Sequence, residues 1–399
     1  MRATWKVNFT ETVVFGNGAI NELPDLCDKF NAKNIVIVTD RGIKDAGILQ
    51  KVVDTFDESY QTFVYDRAVP EPPVDSAVEC LEEAKNYMDV DLIVGLGGGS
   101  SIDLAKVVAL LLRYGGEPAD YFGEHKVPGP VAPLIAIPTT AGTGSEVTSV
   151  TVLTDVKNKM KTGISANELR PKVALLDPEL TLKLPAYVTA CSGIDALSHA
   201  LEAYTAKDAH YIDTDDELLF QGGNPISDAL ALQAIKYIFE GLVLAVNQGS
   251  NIEARSKMLM GSLLAGQAFS NAGTAAAHAL AYPLGGIVKS PHGELTGLLL
   301  PHVLKYNQPV IKEKLATVER FICPESGVLS EEEAGCRFIE RVEQLLEEIQ
   351  LPSSLSQIGV MEEDLPEVAE KALTIDRLVR NTPRVPTKES FENLLLSAL

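Results

Sequence analysis

Cysteine is scarce in this chain: five among 399 residues, scattered singly as Cys27, Cys80, Cys191, Cys323 and Cys336. An odd, dispersed set gives no disulfide framework and no paired-Cys zinc site, which fits a reducing, cytoplasmic compartment. Basic residues are also in deficit, 34 Lys plus Arg against 55 Asp plus Glu, for a formal charge of -21. So acidic a surface repels nucleic acid and anionic lipid, and leaves room for phosphates only in a local basic pocket. No apolar run reaches the roughly 18 residues that suggest a membrane span. The first residues, Met1 to Lys6, lack the apolar stretch of a signal peptide. What is present is an ordinary globular composition, 46% hydrophobic and 22% charged, long enough for two or three domains.

The first half alternates short apolar runs with helical patterns. Asn34–Thr39 (NIVIVT), Gln61–Tyr65 (QTFVY), Asp91–Val94 and Pro133–Ile137 read as strands. Helical spacing runs through Ile43, Ile48, Leu49, Val52 and Val53, from Val74 to about Met88, and from Ile102 to Leu112. This alternation predicts a parallel sheet with helices on both faces. From Thr148 to Leu176 the pattern is strand- and turn-rich, with a charged turn at Lys157-Asn158-Lys159. Beyond Pro185 strand signals nearly vanish, and Ser227–Ala245, Ile252–Ala268, Glu331–Ile349 and Leu365–Val379 carry helical spacing. We therefore expect an α/β domain over 1–183 and an all-helical domain over 184–399, with the acidic Tyr211–Gly223 stretch as a surface excursion.

Gly95, Gly97, Gly98 and Gly99, then Ser100 and Ser101, lie directly after a strand and before a helix. There, bare backbone can approach a diphosphate whose charge meets the N–H groups of a helix N-terminus. The spacing is neither GxGxxG nor GxxxxGK[ST], so alone it fits a tight strand-to-helix turn as well. A second small-residue loop, Pro138 to Glu146, follows the next strand and contains Thr139 and Thr140. Two such turns after successive strands suggest one ligand crevice. Asp40, ending NIVIVT, reads first as a helix N-cap or turn residue. A carboxylate there can also accept from a ribose 2′-hydroxyl, favouring NAD over NADP.

Only six histidines occur. Asp195 and His199, four apart in GIDALSHALEA, project from one helix face. His278 lies in a separate helical segment, and His292 follows Ser290-Pro291, which reads as an N-cap and first helical residue. One Asp and three His make a suitable shell for divalent Fe or Zn. Taken singly, His199 and His278 also read as hydrogen-bonded core residues, and spacing alone does not bring the four together.

The chain resembles the iron-containing (group III) alcohol dehydrogenases almost from end to end. The likeness is carried by FGNGAI at Phe15, IVTD ending at Asp40, GGGSSIDLAK at Gly97, PTTAGTGSEVT at Pro138 and DPELTLKLP at Asp177. It continues through SGIDALSHALEAY at Ser192, AFSNAGTAAAHALAYPLGG at Ala268, SPHGELTGLLLPHVLKYN at Ser290 and NTPRVPTKES at Asn381. The resemblance implies a dehydroquinate synthase-like fold: a dinucleotide-binding α/β domain, an all-helical metal-binding and substrate domain, and a cleft between them. It implies Asp195, His199, His278 and His292 as metal ligands. It implies Gly97, Gly98, Gly99, Ser100, Asp103, Thr139, Thr140 and Lys161 as cofactor-binding residues, with Asp40 favouring NAD. Where many relatives carry a second His four residues after the third ligand, this chain has Tyr282, a candidate for proton relay.

The implied activity is hydride transfer between NAD and a small primary alcohol or diol, or its aldehyde, with Fe(II) or Zn(II) polarising the substrate oxygen. Homodimeric or larger assembly is implied with it. Two rivals share the fold. A hydroxyacid–oxoacid transhydrogenase would keep its NAD bound throughout. A lyase resembling dehydroquinate synthase would need basic residues for a sugar phosphate, for which Arg170, Lys172 and Lys183 are candidates.

Overall fold

The computed structural model describes residues 4–155, 160–214 and 216–399, so the Lys157-Asn158-Lys159 turn lies outside the described residues. The chain divides into two compact units, Asn8–Leu184, and Pro185–Leu399 together with the segment ending at Val7.

In the first unit the strands are β1 (Thr12–Phe15), β2 (Asn34–Val38), β3 (Gln61–Tyr65), β4 (Leu92–Gly97), β5 (Gly123–Glu124), β6 (Leu134–Pro138), β7 (Val150–Asp155), β8 (Met160–Ser165) and β9 (Val173–Leu176). Six of them form a parallel sheet in the order β1-β9-β6-β4-β2-β3. The apolar runs are continuous because both faces are covered. Ile35, Ile37, Leu92, Val94, Leu96, Ile135 and Ile137 enter one core, while Val36, Val38, Ile93 and Leu134 enter the other. The strand order reverses between β2 and β4, the place where open parallel sheets bind ligands. A second sheet, β5-β8-β7, pairs β7 and β8 antiparallel.

The segment with helical spacing after β2 is two helices, Arg41–Asp45 and Ile48–Val53, because Gly47 takes a left-handed φ of 76° between them.

The second unit is helical, as expected. Its main elements are Ala186–Thr205, Pro225–Asn247, Ile252–Ala272, Ala276–Ile287, His292–Ile322 and Glu331–Glu348. Leu365–Val379 is not one helix but two, Leu365–Leu373 and Asp376–Asn381. The break forms where Thr374 and Ile375 bond back only three residues, to Lys371 and Ala372, and close the first helix. Conversely, Pro301 and Pro309 do not interrupt His292–Ile322, which runs for 31 residues. Helix Pro225–Asn247 is long and apolar enough to cross a membrane by length and composition. It nonetheless carries Asp228, Lys236 and Glu240, and buries a stripe through Ala231, Ala234, Ile235, Ile238 and Leu242 within this unit.

The Tyr211–Gly223 stretch is a surface excursion only at its start. Tyr211 is exposed, whereas Leu218, Leu219, Phe220 and Gln221 are buried. The Gln221 and Gly222 N–H groups donate to the carbonyls of Asn271 and Ala272, at 2.8 and 3.0 Å. Acidic composition pointed outward there, but the Leu-Leu-Phe run supplies an anchor that composition averages away.

Candidate functional site

Three strand ends build a cradle in the first unit. Gly97 ends β4 with φ 145°, and Thr139 after β6 donates its N–H to the Gly97 carbonyl at 2.9 Å. Gly98 precedes the helix Gly99–Tyr114, whose first turn no side chain caps. A Cβ on Gly97 would lie 2.7 Å from Ser101 Oγ, and one on Gly99 would lie 2.8 Å from Thr143 Cγ2. A Cβ on Gly98 would meet Thr140 at 3.5 Å. Glycine is thus required at two of these positions, and the first turn of the helix keeps N–H groups that no side chain caps and that an anion can accept. Thr139 Oγ1 is buried and lacks a hydrogen-bond partner. The residues fit an anionic diphosphate, the group the switch-point position predicts.

Asp40 is the N-cap of Arg41–Asp45: Oδ1 accepts from the Ile43 N–H at 3.0 Å. Its other oxygen accepts from Ser101 Oγ at 3.3 Å, so β2 and β4 deliver Asp40 and the glycine turn to one place. Ser100 Oγ accepts from the Glu71 N–H at 3.3 Å. Asp103 points into the protein, where Oδ1 accepts from Ser145 Oγ and Oδ2 from the Val152 N–H at 2.9 Å. Lys161 lies on β8 opposite Thr154, and its side chain is outside the described residues.

Beneath the cradle is a buried polar cluster. Lys106 Nζ donates to Ser145 Oγ at 2.9 Å, Thr148 Oγ1 at 3.0 Å and the Val150 carbonyl at 2.6 Å, with Asp103 Oδ1 at 3.5 Å. These contacts lock the second small-residue loop to the glycine helix. Burial pushes the Lys106 ammonium down to about 8 and the fully enclosed Glu146 carboxyl up to about 7. Arg170, Lys172 and Lys183 have structural partners in the same unit. Arg170 donates to the Val147 carbonyl, Lys172 pairs with Glu11, and Lys183 donates to the Ala46 carbonyl at 3.0 Å.

The second unit gathers the other group of candidates. Asp195 and His199 share one face of Ala186–Thr205, and His278 sits in the first turn of Ala276–Ile287. His292 is the first residue of its helix, with Pro291 as the N-cap; the expected cap at Ser290 falls one residue early because the Pro291 carbonyl accepts the first helical bonds. Ligand atoms of Asp195, His278 and His292 lie within 4.8 Å of one another. His199 stacks on His278 with centroids 4.6 Å apart and lies 3.9 Å from Asp195.

Packing creates this convergence. A Cβ on Gly293 would strike the Cys191 carbonyl and lie 2.9 Å from Asp195 Cβ; one on Gly297 would lie 2.6 Å from Ile194 Cγ1. Glycines four apart let His292–Ile322 press against Ala186–Thr205 and place His292 beside Asp195. Thr296, one position before Gly297, donates to Asp195 Oδ1 at 2.8 Å. Burial opposes ionisation of Asp195, but the surrounding His199, His292 and His278 and the Thr296 hydroxyl outweigh it and hold the carboxyl below its usual range.

Glu202 is the residue that sequence reasoning missed. Its Oε2 accepts from the Ala275 N–H at 2.9 Å and lies 2.6 Å from His278 Nδ1; Oε1 accepts from the Ala277 N–H at 2.6 Å. A carboxylate that only accepts makes Nδ1 the protonated nitrogen and leaves a lone pair on Nε2. That Nε2 is buried, has no hydrogen-bond partner, and lies 3.8 Å from Asp195 Oδ1. An orphaned imidazole acceptor beside a carboxylate and two further imidazoles fits a divalent cation. Glu202 follows Asp195 by seven residues on one helix face, the signal that would have found it.

Tyr282, one helical turn after His278, stacks on His292 with centroids 5.5 Å apart. Arg377 donates to its hydroxyl at 3.4 Å.

A family model described as iron-containing alcohol dehydrogenase matches residues 10–178, and one for the C-terminal part of the Fe-containing alcohol dehydrogenase family matches 189–399. An NAD-dependent methanol dehydrogenase from Bacillus methanolicus is 36% identical, over 97% of this chain and 97% of its own. A crystal structure of 1,3-propanediol oxidoreductase superposes with a TM-score of 0.92 at 34% identity, covering 99% of this chain and 100% of that one. Sulfoacetaldehyde reductase from Bifidobacterium kashiwanohense, solved with NAD+, gives 0.87 at 30% identity over 100% and 99%.

Proposed function

The chain belongs to the iron-containing alcohol dehydrogenase family, and from that premise we propose how its residues carry the family's chemistry. The protein is an oxidoreductase that moves a hydride between NAD and a small alcohol or its aldehyde. The observation that carries the assignment of its residues is the orphaned His278 Nε2, held toward Asp195 among His199 and His292. When bound, a divalent metal polarises the substrate oxygen and the nicotinamide accepts or returns the hydride.

Asp195, His199, His278 and His292 are the residues that would hold the metal. We take it as Fe(II) from the family; three imidazoles and a carboxylate suit Zn(II) equally well. Gly97, Gly98, Gly99 and Ser100, with Thr139 and Thr140, hold the cofactor diphosphate. Asp40 keeps one oxygen beside Ser101, where a ribose hydroxyl can donate to it and a 2′-phosphate is repelled. Asp103 and Lys106 act from below by fixing the two loops. Tyr282, stacked on His292, offers a hydroxyl proton beside the candidate metal ligands. The relatives named as dehydrogenases and reductases favour this reading over the transhydrogenase and the lyase.

The test follows NADH absorbance as Fe(II)-loaded or Zn(II)-loaded protein is incubated with NAD and short alcohols or diols. A metal-dependent rise that disappears in His278→Ala is the expected result. No rise with any alcohol under either metal would refute the proposal.

A further inference from the structure

The helical unit contains a cation that the chemistry above leaves unused. Arg377 lies on the short helix Asp376–Asn381 and is half-buried. Its guanidinium is 5.7 Å from the Phe220 ring centroid and 6.0 Å from that of Tyr282. Its one hydrogen bond among the described residues is the 3.4 Å contact to the Tyr282 hydroxyl, and no described carboxylate pairs with it. Five N–H donors in a planar fork therefore have a single neutral acceptor at the limit of bonding distance. The Tyr282 ring, whose hydroxyl Arg377 touches, stacks on His292. A fixed positive charge thus stands one aromatic ring from the candidate metal ligands.

Neither a simple alcohol nor a diol makes use of such a charge. A carboxylate or sulfonate does, because two of its oxygens match the guanidinium fork and replace water with charge-assisted bonds. Phe220 and Tyr282 flank the guanidinium, which limits its freedom and lowers the entropy lost when an anion docks. Lysine would supply the charge without the fork. We propose that Arg377 forms an anion subsite, and that the preferred substrate is an aldehyde, or the matching alcohol, with an anionic group at the end remote from the reacting carbon. This inference rests on the dehydrogenase reading above and refines its substrate class.

The experiment uses metal-loaded enzyme with NADH and pairs of aldehydes differing only in charge: 4-oxobutanoate against its methyl ester, and glyoxylate against its methyl ester. For each variant the quantity read is the ratio of kcat/KM for acid over ester, in which any loss of folded enzyme cancels. We expect a ratio well above one for the wild type at one of the two lengths. Arg377→Met should lower that ratio about 10- to 100-fold, the worth of a hydrogen bond to a charged group. Arg377→Lys should fall between them. Aldehydes that turn over with a wild-type ratio near one, or a ratio that Arg377→Met leaves unchanged, overturn the anion subsite and leave the dehydrogenase standing. A parallel calorimetric titration with unreactive butanoate separates the two claims. If butanoate binds the wild type and not Arg377→Met while no aldehyde is reduced, the subsite holds and the dehydrogenase reading fails.

Discussion

Replacing Glu202 with Gln is the sharpest perturbation of the metal centre that leaves every candidate ligand in place. The carboxylate meets three donors, the Ala275 and Ala277 N–H groups and His278 Nδ1, at 2.9, 2.6 and 2.6 Å. Glutamine has the same shape but one accepting oxygen. Its amide nitrogen must face either Ala277 N–H or the Ala275 and His278 pair, so a donor is set against at least one donor in a buried site. Losing one charge-assisted bond costs about 1.5–3 kcal/mol. If the lost bond is the one to His278, the ring is free to change tautomer and turn Nε2 away from Asp195. A supporting carboxylate of this kind changes metal affinity about 10- to 100-fold, which is about 1.4–2.8 kcal/mol and the same order as the bond.

Glu202 also satisfies N–H groups at the start of Ala276–Ile287 that no side chain of that helix caps, so the metal-free protein is expected to lose stability too. The assay is therefore double: thermal unfolding of metal-free wild type and Glu202→Gln, then competition for Zn(II) against a chelator of known affinity. We expect a lower midpoint without metal and metal binding weakened at least tenfold. A variant that loses stability but binds Zn(II) within threefold of wild type would refute the orienting role and reduce Glu202 to a cap.

Three further outcomes follow from other parts of the fold. Burial raises Glu146 from 4.5 to about 7, so its folded form keeps a proton that the unfolded chain gives up; relative to Glu146→Gln, the wild type should lose about 3 kcal/mol between pH 4.5 and 7, read from urea midpoints, and a difference constant with pH would contradict this. Gly97→Ala puts a Cβ 2.7 Å from Ser101 Oγ on a backbone at φ 145°, and should weaken NADH binding about tenfold or more by fluorescence titration; unchanged affinity would mean the turn does not carry the diphosphate. Thr296→Val removes the hydroxyl that donates to Asp195 at 2.8 Å in a fully buried position, and should weaken Zn(II) binding while barely changing packing; equal affinity would show that the helix crossing alone positions the carboxylate.

The sheet was legible because a parallel sheet buried on both faces writes each strand as an unbroken apolar run. Ile35 to Val38 needs no partner to be recognised. The edge strand β1, Thr12–Phe15, is half-exposed and only four residues long, and it left no comparable mark. Periodicity located the helices but not their interruptions. Gly47 broke one pattern and the Thr374–Ile375 step another, while Pro301 and Pro309 failed to break a third. Hydrophobic spacing records which side of a segment is buried. Breaks are decided by backbone bonds at single residues, which spacing averages over.

The metal centre divides in the same way, and the division explains where its precision arises. Asp195, His199, His278 and His292 are recognisable by type, since carboxylate and imidazole are what a divalent cation requires. What brings them within reach has no chemistry of its own. Gly293 and Gly297 admit one helix against another at distances that no Cβ would permit, and this crossing sets His292 beside Asp195. Glu202 then fixes the His278 ring by completing the backbone bonding of the helix that carries it. A glycine pair and a glutamate in a helical run read, in sequence, as ordinary residues. Their meaning is tertiary: the glycines matter for what lies opposite them, and the glutamate for which N–H groups the fold leaves unpaired. The geometry of the site is therefore held by residues that are not themselves metal ligands, and changes at Gly293 or Glu202 should weaken metal binding with every ligand still present.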